Sequence, residues 1–335
     1  MFLQNIVNSG GEKNTDNLLR RIEFMAKKKT VRINQNELKI GIIANTTKEK
    51  VFPVISDFVN RLRENDLDFL ISKEVAVFKE RISGKINKSK FVNNETLYKR
   101  SDIIISVGGD GTMLATTYHA QFYNKPVLGV NIGKLGFLVE TSVSQIDSLV
   151  KEIKAGRYSI DERMVLTGEC LRHNLPNLYA INDVVIDKGG WPKMIEIEIF
   201  VDGEYVTTFA ADGVIVATPT GSTGYAISTG GPIVSPQADV ITICPICPHS
   251  LTVRPLVLPS YHDIVIRTNS LHKEVHVNCD GQRVFAFKPP LELKLYKSKR
   301  PVKLVHTSLT NYFETLRNKL LWGIDLRSNP ANGGE

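Results

Sequence analysis

The run Asp102–Val107 (DIIISV) passes without interruption into Gly108-Gly109-Asp110-Gly111-Thr112. A largely apolar run of strand length is a strand buried on both faces, and such strands belong to parallel sheets covered by helices. The glycine turn after it, and the helix expected from about Thr112 to Phe122, complete a strand–turn–helix unit. Open α/β sheets bind ligands at the carboxyl ends of such strands. The neighbouring segments fit the same scheme. Lys39–Ala44 (KIGIIA), Asp68–Ser72 and Pro126–Asn131 (PVLGVN) read as further strands, and Val51, Ile55, Phe58, Val59 and Leu62 recur at helical spacing.

Past about Thr141 the texture changes. An amphipathic helix over Gln145–Ala155 leads into strand after strand. In Lys193–Phe209, Ile195, Ile197, Ile199 and Val201 alternate with polar positions, and Asp202-Gly203 supplies a turn dipeptide that tolerates positive φ. Gly213–Ala217, Asp263–Thr268 and Glu274–Asn278 are further strands, and helical spacing returns over Asn311–Leu321. The expected fold is α/β plus β. Residues 1–37 form a flexible extension, 38–139 a Rossmann-like nucleotide-binding lobe with a parallel sheet, and 140–305 a mostly antiparallel β lobe. Residues 306–335 close the chain with a helix returning to the first lobe. Met25-Ala26-Lys27 reads as a second start, which would leave the first 24 residues outside the native product.

Length and composition narrow the class. A chain of 335 residues, 42% hydrophobic and 23% charged, has room for two modest domains or one large one. No apolar run approaches the roughly 20 residues of a membrane span, and the N-terminus lacks the apolar core of a signal peptide, so a cytoplasmic enzyme is expected. The net charge of +7 suits anionic ligands. Lys27–Lys29 and Lys297–Arg300 carry no interleaved aromatics and read as solvated surface, so no nucleic-acid partner is expected. Cys244 and Cys247 have C-x-x-C spacing without a second such pair. They are expected to be buried structural thiols.

Three segments carry chemistry. In Gly108–Thr112 the glycines let backbone approach a polyphosphate, and the helix start offers free amides. Asp110 is wrong for cradling phosphate by itself but suits a general base toward a hydroxyl, or a partner of magnesium travelling with ATP. A tight turn with Asp110 as a cap is the plain alternative. The Rossmann fingerprint is absent because Leu114 stands where its third glycine would be, and no Walker sequence occurs. Gly221-Ser222-Thr223-Gly224 has the wrong spacing for a hydrolase nucleophile elbow. The second segment, Asp212–Pro232, runs from a strand into a loop dense in hydroxyls and glycines. It suits adenine edges and ribose oxygens, with Tyr225 placed to stack, or else is a connection held by local Ser/Thr turns. The third, Asn182-Asp183 inside an apolar run, needs a bulge or a strand start to serve one ligand.

These segments, in this order with GVNIGKLGFL (Gly129–Leu138) and PICPHSLTVRPLV (Pro245–Val257), resemble the NAD kinase family over roughly Lys39–Trp322. The GGDGT element is shared with lipid kinases of the diacylglycerol and sphingosine type; TPTGSTGYAISTGGPI is not. The resemblance implies phosphoryl transfer from ATP to the 2′-hydroxyl of the adenosine ribose of NAD, with Asp110 as proton acceptor and Gly111 beside the substrate. It implies Gly108, Gly109 and Thr112 as the phosphate loop. Asn182 and Asp183 would hold ribose hydroxyls, and Asp212 would face the nicotinamide side. Thr223, Gly224, Tyr225, Ala226, Ile227 and Ser228 would surround adenine and ribose, with Lys193 and Gln282 as further contacts. A divalent cation, Mg²⁺, would accompany ATP, and the chain would act as a homodimer or homotetramer whose subunits complete each other's sites. Position 183 is Asp where Glu is commonest, Gly224 replaces a frequent Ala, and Ala210 stands where many members are basic. A lipid kinase, and a non-catalytic NAD sensor that kept the site, are the alternatives.

Overall fold

The computed structural model describes residues 38–322, apart from 79, 81, 83–85, 134, 135, 140, 172–177 and 310. The expected N-terminal extension, the start at Met25 and the Lys27–Lys29 run lie outside the described residues.

The first sheet runs Phe91–Val92, Asp68–Ser72, Lys39–Ala44, Ile103–Gly108, Val127–Asn131, Val302–Thr307, Tyr158–Arg163, with the short Thr141–Ser142 also paired to Val127–Asn131. Every pairing is parallel except that of Tyr158–Arg163 with Val302–Thr307. Its strands are covered on both faces, as their unbroken apolar character requires. Val51–Glu64 and Ile146–Lys154 cover one face with Phe58, Leu62, Leu149 and Ile153; on the other, Asp110–Ala120 buries Met113 and Leu114 against Ile104 and Val127. The sheet crosses the expected boundary at residue 140. Strands Thr141–Ser142 and Tyr158–Arg163 after that point, and Val302–Thr307 near the far end of the chain, belong to it, and helix Ile146–Lys154 covers it. Alternation cannot reveal which sheet a short strand joins.

The β lobe is a sandwich. One six-stranded sheet runs from Leu256–Pro259 through Val240–Ile246, Gly213–Ala217, Asp183–Asp187 and Val275–Cys279 to Arg283–Phe287. The other runs from Glu204–Ala211 through Ile195–Val201, Ile264–Asn269, Leu291–Lys297 and Leu166–Cys170 to Leu178–Ala180. Both are antiparallel throughout. Alternate residues meet between them, Ile195, Ile197 and Ile199 from one and Val184, Ile186 and Val214 from the other. Asp202 and Gly203 take φ of 50° and 86° at the expected hairpin.

Two local details shape the site. The helix after the glycine turn spans Asp110–Ala120, with Gln121–Tyr123 continuing as a 3₁₀ turn, so it begins two residues earlier than expected. Gly109 is its N-cap, in extended conformation, and Asp110 is its first helical residue. The closing helix Tyr312–Leu320 is capped by Asn311, whose side chain accepts from the amides of Phe313 and Glu314. It packs near Phe137, over whose ring Lys319 Nζ lies at 5.4 Å, and the Tyr312 hydroxyl donates to the Val234 carbonyl.

Candidate active site

Asp110 does not cap its own helix. Its Oδ1 accepts from the amides of Leu138 (3.3 Å) and Val139 (3.0 Å), and its Oδ2 from the amide of Phe137 (2.9 Å). Three consecutive amides of one loop therefore fix the carboxylate. Oδ2 carries a single donor, which leaves it a lone pair for a hydroxyl. The loop comes this close because residue 136 is glycine.

The carboxylate lines a small cleft, about 50 Å³, between the lobes, with Phe137, Asn182, Thr220, Thr223 and Gly224 around it. Arg163 and Tyr312 close it and also line a larger neighbouring cavity of about 530 Å³. Arg163 is buried; its Nε donates to Asp161 at 2.7 Å and its Nη1 to Thr220 Oγ1 at 3.5 Å. Burial alone would raise the Asp161 carboxyl, but His306 and Arg163 hold it down at about 2. The cavity also holds Arg157, Ser159, His306 and Ser308, at the carboxyl end of strand Val302–Thr307.

Asn182 and Asp183 sit where the chain leaves Leu178–Ala180 in one sheet and starts Asp183–Asp187 in the other, so the pair lies at a strand start. Asn182 faces the cleft; Asp183, 4% exposed, accepts from the Tyr225 amide. Burial, aided by the charge of nearby Asp280, pushes the Asp183 carboxyl up to about 7. Gly221 lets the loop pass, since a Cβ there would lie 2.0 Å from the Asn182 carbonyl oxygen.

The hydroxyl-rich loop is more structural than its composition suggests. Thr218 Oγ1 donates to the Ile181 carbonyl, Ser222 Oγ to that of Pro219, and Ser228 Oγ to that of Tyr225. The last two are the local turns of the plain reading, whereas Thr218 ties the loop to the crossing chain 37 residues earlier. Thr220, Thr223 and Gly224 reach the cleft, whereas Ala226 is buried against Val185, Ile215 and Cys244. Tyr225 is 48% exposed at the start of the short helix Tyr225–Ser228, which also holds Ile227.

The remaining expected residues divide. Gly108 ends its strand, Gly109 precedes Asp110 and Thr112 follows it by two residues, and Gln282 Nε2 donates to the Gly111 carbonyl at 2.6 Å. Asp212 and Lys193 are not gathered there. Asp183 pairs with Ala217 at one end of its ladder and Asp187 with Gly213 at the other, so Asp212 lies a strand length away, roughly 15 Å. It forms an ion pair with Lys188 at 2.5 Å. Lys193 is exposed, and its carbonyl pairs with His272 Nε2. Among the described residues no group of three or more His, Cys, Asp or Glu side chains is placed to hold a metal. Cys244 is a buried free thiol as expected, but Cys247 is exposed: it follows the strand end, at φ 45°. Arg163, Gly136 and Asp280 escaped the sequence reading. Gly136 lay in a segment already singled out and Asp280 beside Gln282, but Asp280 meets the amides of 181–183 and Arg163 meets Thr220 only across long stretches of chain.

Comparison with known proteins bears on both lobes. The family described as ATP-NAD kinase N-terminal domain matches residues 40–158, and that described as ATP-NAD kinase C-terminal domain matches residues 181–307. An NAD kinase of Chloroherpeton thalassium is 32% identical over 292 residues, 87% of this chain and 100% of its own. One of Chlorobium phaeovibrioides is 37% identical over 287 residues, 85% of this chain and 99% of its own. Among solved structures, yeast NADH kinase complexed with NADH superposes with a TM-score of 0.77 at 25% identity, over 87% of this chain and 89% of that one. An NAD kinase from Archaeoglobus fulgidus in complex with ATP gives 0.65 at 25% identity, over 85% and 99%.

Proposed function

The chain belongs to the NAD kinase family, and from that premise we propose how its residues divide the work of the reaction. It is a phosphotransferase that moves the γ-phosphoryl of ATP to the 2′-hydroxyl of the adenosine ribose of NAD, giving NADP. The lipid-kinase alternative finds no support, since both lobes match NAD kinase domains. One observation carries the assignment of roles. The Asp110 carboxylate, held by three amides with a lone pair to spare on Oδ2, lines the same cleft as Asn182, Thr223 and Gly224.

In this reading Asp110 Oδ2 accepts the 2′-hydroxyl proton as the oxygen attacks phosphorus. The catalytic gain from a positioned base is typically 10²–10⁴-fold. Asn182 and Asp183 hold ribose oxygens, and the amides at the start of helix Asp110–Ala120 favour the developing phosphate charge. The donor is assigned to the 530 Å³ cavity. Phosphate oxygens there would meet Arg157, Arg163 and His306, and Arg163 lies where the two cavities adjoin. Mg²⁺ is assigned to the donor's phosphates rather than to a resident protein site, and would supply charge neutralisation there.

The proposal extends to a cytoplasmic homo-oligomer. No described helix is long and apolar enough to cross a membrane. Asp212 and Lys193, set apart from the cleft, are assigned to the nicotinamide end of a dinucleotide. The test is direct: purified protein with NAD, ATP and Mg²⁺, read by a coupled NADP-specific dehydrogenase, should form NADP, and Arg157→Ala should raise KM for ATP about tenfold with KM for NAD unchanged. Absence of NADP would overturn the function. An unchanged KM for ATP would remove only the donor assignment.

A further inference from the structure

We propose that Asp280 is a positioning residue: it sets the ribose-holding pair Asn182–Asp183 in place and, through the turn it belongs to, ties that pair to the helix that carries Asp110. The inference rests on the kinase reading above and deepens it.

The chain at residues 181–182 crosses from one sheet of the sandwich to the other, so no ladder is available to those amides. Buried amides without partners are costly. Asp280 supplies the partner. Its Oδ1 accepts from the amides of Ile181 (2.9 Å), Asn182 (2.7 Å) and Asp183 (3.3 Å), and its Oδ2 also accepts from Ile181 (3.1 Å). Its own amide donates to the Asp183 carbonyl at 3.0 Å. Three successive amides converging on one carboxylate, across about a hundred residues of sequence, fix the path of the crossing chain.

The carboxylate reaches inward because of its turn. Asp280 and Gly281 both take positive φ, 57° and 67°, and the Gln282 amide donates to the Cys279 carbonyl, closing a tight hairpin. Asp is among the few residues with a side chain that accept this conformation. The same turn then reaches the other lobe twice. Gln282 Nε2 donates to the Gly111 carbonyl, in the first turn after Asp110. Arg283 Nη2 donates to the Tyr179 carbonyl (2.7 Å) and pairs with Asp280 Oδ2 (3.1 Å), while its guanidinium lies 4.0 Å from the ring centre of Tyr118 on the Asp110 helix. Four consecutive residues thus hold both the base-bearing helix and the ribose-holding pair.

Charge at Asp280 has a second consequence. The groups facing Asp183 are Asp280, the thiols of Cys244 and Cys279, and the Tyr225 amide. Burial pushes both thiols up, so they are neutral, and among the described residues the like charge facing Asp183 is that of Asp280, whose own carboxyl is pushed up by burial and drawn partly back by the three amides and Arg283. Removing this charge therefore makes Asp183 ionise more readily.

The test is Asp280→Asn in the full-length protein, because Asn keeps the size and the turn conformation while removing the charge. We expect kcat/KM for NAD to fall by about ten- to a hundredfold, as misplacement of a reacting group does, with KM for ATP within about threefold. The acid limb of kcat/KM for NAD should move to lower pH by about half a unit or more, because the like charge beside Asp183 is gone. A residue that served only the fold would lower Tm and leave that limb in place. Unchanged kinetics with an unmoved limb overturn the proposal. Should Asp280→Asn fail to fold, Arg283→Lys keeps the charge but not the planar fork over Tyr118. It should lose about three- to tenfold in kcat/KM for NAD, and wild-type kinetics in it would overturn the proposal equally. A wild-type protein that forms no NADP would instead overturn the kinase reading itself.

Discussion

Asp110 and Gly136 occupy space that only one side chain can fill: a Cβ on residue 136 would lie 1.8 Å from Asp110 Oδ1. Backbone atoms on the loop cannot retreat without giving up the amides that hold the carboxylate. Gly136→Ala should therefore swing Asp110 out of place. The expected result is a fall in kcat of about tenfold to a hundredfold, the cost of misplacing a reacting group by about 1 Å. Far-UV circular dichroism should be unchanged. Wild-type kcat in this variant would mean that the loop amides do not position Asp110.

Asp183 gives a pH signature. Its folded carboxyl lies near 7, above the ordinary value of 3.8, because of burial and then Asp280. A folded state that keeps its proton while the unfolded state has lost it becomes less stable as pH rises between those values. Unliganded protein should thus lose stability as pH climbs from about 4 to about 7, by on the order of a few kcal/mol. Asp183→Asn should flatten that slope in denaturant titrations at several pH values. The same group is expected to hold ribose, so Asp183→Ala should lower kcat/KM for NAD by about one to two orders of magnitude. A pH slope identical in Asp183→Asn and wild type would show that another group carries it.

The two cysteines of the C-x-x-C spacing should behave differently from each other. Cys244 is buried beside Val185, Ile215 and Ala226, so Cys244→Ser puts a hydroxyl in an apolar cluster and should cost about 1–2 kcal/mol. Cys247 is exposed, and Cys247→Ser should fall within about 0.5 kcal/mol of wild type. Metal analysis should find no stoichiometric zinc. One zinc per chain, lost in the double variant together with activity, would contradict this.

How far the sequence spoke depended on how local the signal was. Strand Lys39–Ala44, strand Gly213–Ala217 and the Asp202-Gly203 hairpin were legible because periodicity and turn chemistry are short-range. Asp110 was legible as a lone carboxylate in a glycine turn, but its three amide donors lie 27 to 29 residues away. Asp280 drew no expectation beside Gln282, since the amides it holds are 97 to 99 residues distant. For the same reason the bond from Thr218 to the Ile181 carbonyl, 37 residues away, left no mark in the hydroxyl-rich loop's own sequence. Membership of Val302–Thr307 in the first sheet is likewise a tertiary fact: a parallel neighbour leaves no mark on a strand's own alternation.

The central claim is that Asp110 removes the proton from the hydroxyl that is phosphorylated. Asn at 110 keeps the size of the side chain but cannot accept that proton. The decisive measurement is therefore NADP formation by Asp110→Asn, together with its Kd for NAD. We predict a loss of about 10²–10⁴-fold in kcat with Kd for NAD within about threefold of wild type. A variant that keeps more than about a tenth of the wild-type kcat would contradict the assignment of Asp110 as the base.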